Sequence, residues 1–194
     1  MHKRSYYMVN GITLYRLMAA PLLVLLVINN RFDLFKWLLA ISFFTDALDG
    51  YLARRYHVIS IAGSKLDSIA DDLTIVVAMM GMMVFKREFL LQEITMIILL
   101  LVLFLVQTAI ALIRYGKISS FHTYAAKIAA MLQGTFLLLL FFLSEPIYLL
   151  FYLTTFVTAL ELFEEIIIMF LLPQWETNVK GLYWIIKRKE KYSA

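Results

Sequence analysis

Four aspartates, Asp46, Asp49, Asp67 and Asp71, fall within the stretch DALDGYLARRYHVISIAGSKLDSIADD, which lies between long apolar runs. Read as helix, residues three and four apart share a face. Asp46, Asp49, Gly50 and Ala53 then form one stripe, and Gly63, Asp67, Ala70 and Asp71 form another. A short turn near His57–Ile59 would make the two helices antiparallel neighbours and let the stripes converge. Carboxylates crowded together in a low dielectric repel one another and take up protons. A divalent cation removes that repulsion. Oxygen-only donors without His or Cys suit Mg2+, Mn2+ or Ca2+ rather than zinc. The small residues on the same stripes leave room for a ligand beside the metal. The plainer alternative is an ion-pair network of Asp46 or Asp49 with Arg54, Arg55 or Lys65. It explains any one aspartate well, but not four on two facing stripes.

The helices that must position these residues belong to a chain made for lipid. It has 194 residues, 62% of them hydrophobic and 16% charged. A soluble domain of this size could not hide so much apolar surface. The run ITMIILLLVLFLVQTAIALI (Ile94–Ile113) is long enough to cross a hydrocarbon core of about 30 Å. Three prolines and seven glycines interrupt the chain, which favours helices over the alternating strands of a barrel. There is no cysteine, so disulfides and thiolate metal sites are excluded. The pattern predicts an all-α membrane protein with six transmembrane helices near 11–29, 34–56, 61–85, 90–114, 121–143 and 146–172. The second and third carry the aspartates, which a membrane helix tolerates when they face a cavity.

The basic residues give the expected orientation. With a cytoplasmic N-terminus, the inner side holds fourteen Lys and Arg, among them Arg16, and the outer side four: Arg31, Lys36, Lys86 and Arg87. This obeys the positive-inside rule and places both termini and the aspartates on the cytoplasmic side. A cleaved signal peptide is not expected, because the first helix carries Arg16 and lacks a small-residue cleavage site. Residues 173–194 read as a separate tail after a 1–172 helical domain. Its KGLYWIIKRKEKY segment looks interfacial, held by anionic headgroups. No nucleic-acid motif is present. A non-enzymatic cation pathway would need polar groups along the whole bilayer depth, and the outer halves of the second to fifth helices are nearly bare of them.

Asp46, Asp49, Gly50, Ala53, Arg54, Gly63, Asp67 and Asp71 resemble, at all eight positions, the signature D-x2-D-G-x2-A-R-x8-G-x3-D-x3-D of the CDP-alcohol phosphatidyltransferase family. Upstream, NGITLYRLMAAP is similar to the family's opening N-x2-T-x2-R-x4-P through Asn10, Thr13, Arg16 and Pro21. The resemblance implies transfer of a phosphatidyl group from CDP-diacylglycerol to an alcohol, with release of CMP. It implies that Asp46, Asp49 and Asp67 hold Mg2+ or Mn2+, as two ions, and that Asp71 is both ligand and general base. Asn10, Thr13 and Arg54 would bind donor nucleotide or phosphates, and Gly50, Ala53 and Gly63 would allow its close approach. It further implies a homodimer in a bacterial inner membrane. Prenyltransferases also use aspartate-rich motifs, but as D-x3-D pairs in two separate helical regions, without the D-G-x2-A-R core.

Downstream of about Leu73 no motif is as specific. Arg114, Lys117 and Lys127 are expected near the cytoplasmic helix ends and could take a phosphorylated acceptor. GKISSFHTYAAK resembles in part the G-K-x-K-T region of the glycerophosphate-using branch, with the second lysine replaced. Glycerol 3-phosphate is therefore the expected acceptor, with inositol, inositol phosphate or serine as alternatives. ELFEE leaves three readings of Glu161, Glu164 and Glu165 open. They could pair with Lys127 or Arg114, receive the amine of a serine-like acceptor, or lie in water where the sixth helix ends early.

Overall fold

A computed structural model describes residues 2–56, 61–117, 121, 123–176 and 179–193; the side chains of 2–10, 12–13, 46–56, 61–69, 71–72 and 189–193 lie outside that description. The described residues form eight helices and no strand: α1 (His2–Ile28), α2 (Phe32–Tyr56), α3 (Ile61–Phe85), α4 (Arg87–Gln92), α5 (Ile94–Tyr115), α6 (Tyr124–Phe142), α7 (Tyr148–Leu171) and α8 (Leu182–Ser193). Six of them are long and match the six expected helices. Three details differ. α1 continues back to His2, α4 is a separate short helix, and the tail holds α8. The turn expected near His57–Ile59 lies outside the described residues. α5 and α6 are each long and apolar enough to cross a membrane, and α1 and α3 contain shorter apolar stretches, Leu14–Ile28 and Leu73–Phe85.

The chain divides into two compact units, Met1–Leu90 and Leu91–Ala194. In the first, α1 packs against both α2 and α3. Its buried stripe is Arg16, Ala19, Ala20, Leu23 and Val27, which is the i, i+3, i+4 pattern of one helix face. α2 contributes Phe35, Leu39 and Ser42, and α3 contributes Ala70, Thr74, Val77, Ala78 and Met82. Lipid tails are as apolar as leucine, so association in a bilayer depends on close packing and small residues. The alanines on α1 and α3 meet that requirement. Asn30 reverses the chain between α1 and α2 at φ 53°, a left-handed conformation that Asn tolerates better than most residues. Arg31 N–H closes the reversal on Leu26 O at 2.8 Å.

One contact fixes how α2 meets α3. A Cβ at Gly81 of α3 would run into the ring of Phe35 of α2, which is fully buried. The ring centroid of Phe85 lies 5.3 Å from that of Phe35 and 5.1 Å from that of Phe32. The start of α2 therefore packs on the end of α3, and the two helices are antiparallel.

In the second unit, α7 packs against α5, α6 and α8. At one end Tyr148 Oη donates to Gln92 Oε1 at 3.0 Å and Tyr152 Oη to Glu93 Oε1 at 2.8 Å. At the other end Tyr115 Oη lies 2.9 Å from the carbonyls of Met169 and Leu172. α5 and α7 therefore run parallel. Ala111, Phe121, Ile168, Met169, Leu172, Val179 and Ile185 form one apolar cluster around that second end. Val179 and Ile185 of residues 173–194 are part of this cluster.

Gly81→Ala tests the α2–α3 register. Overpacking of this kind costs about 1–3 kcal/mol, so the thermal midpoint of the purified protein should fall. Adding Phe35→Leu should recover part of the loss. An unchanged midpoint in Gly81→Ala would show that the close approach is not a constraint.

Candidate active site

The side chains of Asp46, Asp49, Asp67, Asp71, Asn10, Thr13, Ala53 and Arg54 lie outside the described residues, as do the surroundings of Gly50 and Gly63; the helices that carry them are described. Helix geometry gives their levels, because each residue advances the axis by about 1.5 Å. Counting from the Phe35–Gly81 contact, Asp46 is about 16 Å along α2 and Asp71 about 15 Å along α3. Asp49 and Asp67 each lie about 21 Å from it. The aspartates therefore occupy two matched levels, one helical turn apart. Counting back along α1 from its reversal into α2, Thr13 comes to the level of Asp46, and Asn10 to that of Asp49 and Gly50. One end of the first unit thus gathers all these signature positions.

One turn short of the aspartates, three polar residues are buried. Arg16 is 2% exposed, Ser42 1% and Thr74 2%. By the same counting they share nearly one level. Ser42 Oγ donates to Leu38 O at 3.0 Å, and Thr74 Oγ1 donates to Ala70 O at 2.7 Å. Each hydroxyl proton is thus used within its own helix, which leaves the oxygen's lone pairs to accept from elsewhere. A buried guanidinium in this layer places a positive charge next to the carboxylate levels. The charge rule counts Arg16 only as an inner-side cation, whereas the structure sinks it between helices. Nothing in the spacing of Ser42 or Thr74 marks them in the sequence, since lone hydroxyl residues are common on membrane helices.

The candidate acceptor residues all lie in the second unit. Arg114 Nη2 donates to Leu172 O at 3.3 Å, so its charge meets the negative C-terminal end of α7. Lys117 Nζ sits 4.6 Å from the ring centroid of Trp175, and Lys127 Nζ 5.4 Å from that of Tyr124. Lys117 and Lys127 are exposed. Gly116, in the left-handed region at φ 65°, ends α5 just before Lys117. Thr123 Oγ1 accepts from Ala126 N at 3.1 Å and begins α6 just before Lys127.

Two of the three glutamates of α7 are buried, and Glu164 is half-buried. Glu161 is 9% and Glu165 7% exposed. Glu165 Oε2 accepts from Gln107 Nε2 of α5 at 2.6 Å. Glu164 Oε1 accepts from the backbone N–H of Leu182 at 2.8 Å, which caps the first turn of α8. Gln133 Nε2 of α6 donates to Thr158 Oγ1 at 2.9 Å. A polar seam, Thr154, Thr155, Thr158, Glu161 and Glu165, therefore runs along the buried face of α7. Gln107 and Gln133 lie within long, mostly apolar runs, so the sequence holds no sign of these partners. Among the described residues no group of three His, Cys, Asp or Glu is placed to hold a metal ion.

The signature aspartates of the first unit, whose side chains lie outside the described residues, have donor chemistry that suits a metal ion. Four carboxylates on two adjacent helices, at matched levels and without competing nitrogen or sulfur, are the hard oxygen ligands that Mg2+ or Mn2+ take. A chain whose described residues are helical, without a strand, and which holds two helices long and apolar enough to cross a membrane, has the make-up of a membrane protein. The chain belongs to the CDP-alcohol phosphatidyltransferase family, whose model matches residues 6–172. The CDP-diacylglycerol–glycerol-3-phosphate 3-phosphatidyltransferases of Rickettsia typhi and Rickettsia prowazekii are each 32% identical to it over 127 residues. These matches span 64% of this chain and 70% and 68% of the two relatives. The CDP-diacylglycerol–inositol 3-phosphatidyltransferase of Saccharomyces cerevisiae is 38% identical over 66 residues, 34% of this chain and 30% of that one. No solved structure matches the chain.

The Gln107–Glu165 bond can be measured by a double-mutant cycle. Glu165→Leu leaves the Gln107 amide buried without its acceptor, at a cost of about 1–2 kcal/mol. Gln107→Leu added to it should return part of that stability. Full additivity of the two changes would show that the bond carries no coupling.

Proposed function

We propose that this chain transfers the phosphatidyl group of CDP-diacylglycerol to glycerol 3-phosphate and releases CMP. The observation that supports the reading best is the matched helix levels of the four signature aspartates, with Asn10 and Thr13 of α1 beside them. The relatives in Rickettsia support the acceptor. In this reading α1, α2, α3, α5, α6 and α7 span a bacterial inner membrane, both termini are cytoplasmic, and the chain works as a homodimer.

Asp46, Asp49 and Asp67 would hold two Mg2+ or Mn2+ ions, with Asp71 as a further ligand. When bound, these ions neutralise the donor's diphosphate as its bridging P–O bond breaks. The acceptor hydroxyl oxygen forms the new bond to the phosphorus that carries diacylglycerol, and the bond to the CMP oxygen breaks. Asp71 takes the hydroxyl proton as general base. Asn10 and Thr13 hydrogen-bond the donor's phosphates or nucleotide, and Arg54 supports the nucleotide. Gly50, Ala53 and Gly63 keep side chains out of the donor's way. The cations Arg114, Lys117 and Lys127 are assigned to the acceptor's phosphate, which a guanidinium can hold bidentately and an ammonium as a point charge. Arg114 also donates to Leu172 O, so Lys117 and Lys127 make the cleaner test.

Inositol is the second reading, favoured by the yeast relative. It predicts a different lipid product from the same donor.

Two experiments test the proposal. Exhaustive chelation with EDTA should stop CMP release, and excess Mg2+ or Mn2+ should restore it; Asp71→Asn should cut turnover about a hundredfold or more while donor binding survives. Full activity after chelation, or normal turnover in Asp71→Asn, contradicts the mechanism. In the second experiment the protein receives CDP-diacylglycerol with each acceptor separately, and the lipid product is identified by mass. Glycerol 3-phosphate should react best, and Lys127→Gln should raise its KM about tenfold with little change for the donor. A phosphatidylinositol product with glycerol 3-phosphate inert selects the second reading.

A further inference from the structure

We propose that α8 is a fixed platform whose outward residues Tyr183, Trp184, Ile186 and Lys187 engage an anionic phospholipid surface. The proposal rests on the membrane reading of the chain, not on the identity of its acceptor.

The fastening of α8 decides which residues remain for a partner. The Glu164 carboxylate caps its first N–H at Leu182. Gly181, at φ 148°, holds the preceding turn; a Cβ there would lie 3.0 Å from Glu164 Oε1. Ile185 is 2% exposed in the apolar cluster with Ile168, Met169 and Leu172. Arg188 makes a two-pronged bond to Glu176, at 2.9 and 3.0 Å. Tyr124 N–H, at the start of α6, donates to Lys180 O at 3.2 Å, and the rings of Tyr124 and Trp184 stand 5.4 Å apart. α8 is thus pinned at its start, on its inner face and through Arg188.

What faces outward is Tyr183, 64% exposed, with Trp184 and Ile186 each 45% exposed, and the exposed Lys187. Amphipathic aromatic rings beside aliphatic and basic residues suit the boundary between headgroups and acyl chains. Charge points to the same partner. All eight Lys and Arg of the second unit fall at the α8 end: Arg114, Lys117, Lys127, Lys180, Lys187, Arg188, Lys189 and Lys191. The opposite end holds Glu93 and Glu145 and no basic residue. A basic end with exposed aromatics matches an anionic leaflet in charge and polarity. A second copy of the same basic end would instead repel it.

The chain has no cysteine, so single-cysteine variants of the full protein can carry one nitroxide each. Tyr183→Cys and Ile186→Cys are labelled and reconstituted in phosphatidylcholine vesicles, with and without phosphatidylglycerol. Accessibility to oxygen and to a water-soluble nickel chelate is read by power saturation. With phosphatidylglycerol both labels should become oxygen-accessible and shielded from nickel. Raised salt should weaken the effect, as screening requires. Lys187→Gln, Lys189→Gln and Lys191→Gln should each reduce interface occupancy roughly fivefold, with CMP release unchanged. Labels that stay in water in both vesicles overturn the proposal. So does burial that ignores lipid charge, or spin–spin broadening that reports a second copy on this face.

Discussion

In the proposed reading, negative charge concentrated on two adjacent levels of a helix pair is the constraint around which the first unit is arranged. In a low dielectric, four carboxylates brought together repel strongly, and each would rather take up a proton than stay charged. A cluster built that way needs a compensating cation and a scaffold that resists being pushed apart. Phe35 seated on Gly81 holds α2 and α3 together about three to four turns from the aspartate levels. α1, with its alanines, lies along both helices. Arg16, buried in the layer next to the aspartates, adds a fixed positive charge that needs no exchangeable ion.

The second unit solves a related problem with different chemistry. Several of its acidic groups are tied off one at a time: on α7, Glu165 to Gln107 and Glu164 to the first N–H of α8, and, just before α5, Glu93 to Tyr152. Hydrogen bonds between membrane helices are individually modest. Several in a row along one seam still fix which face of α7 turns toward α5 and α6. Basic residues collect at the end where α8 docks, while the apolar outer surface of α5 buries only Gln107 and Ala111. Tight polar contacts inside and plain hydrocarbon outside are what a bilayer solvent favours.

Much of this was legible in the sequence. Long uncharged runs bounded by NNRFD, KRE and LSEP marked the helices, because backbone groups in lipid leave few alternatives to helix. α3 begins and ends where expected, and α2 starts two residues early. The signature spacing predicts the aspartates on two stripes, and their side chains lie outside the described residues. The helix before Asn10 was missed, since charge there masked the periodicity. α8 read as a tail because its inner face, Leu182 and Ile185, is apolar only in relation to partners far along the chain. The same holds for Gln107 and Glu165, which lie 58 residues apart, and for Arg188 and Glu176. Long-range pairs leave no periodic trace. Arg16 was counted as an inner-side cation because a charge rule records position along the chain and is blind to burial.

The central claim is that the four aspartates form one metal-binding cluster, and Mn2+ binding measures it directly. Free and bound Mn2+ can be separated by electron paramagnetic resonance on the purified protein in detergent, with no substrate and no turnover required. Saturable binding should occur in the parent chain. It should be lost when Asp46, Asp49, Asp67 and Asp71 are all changed to Asn, with the helical fold retained by circular dichroism. Undiminished Mn2+ binding in that folded variant would place the metal elsewhere and contradict the account.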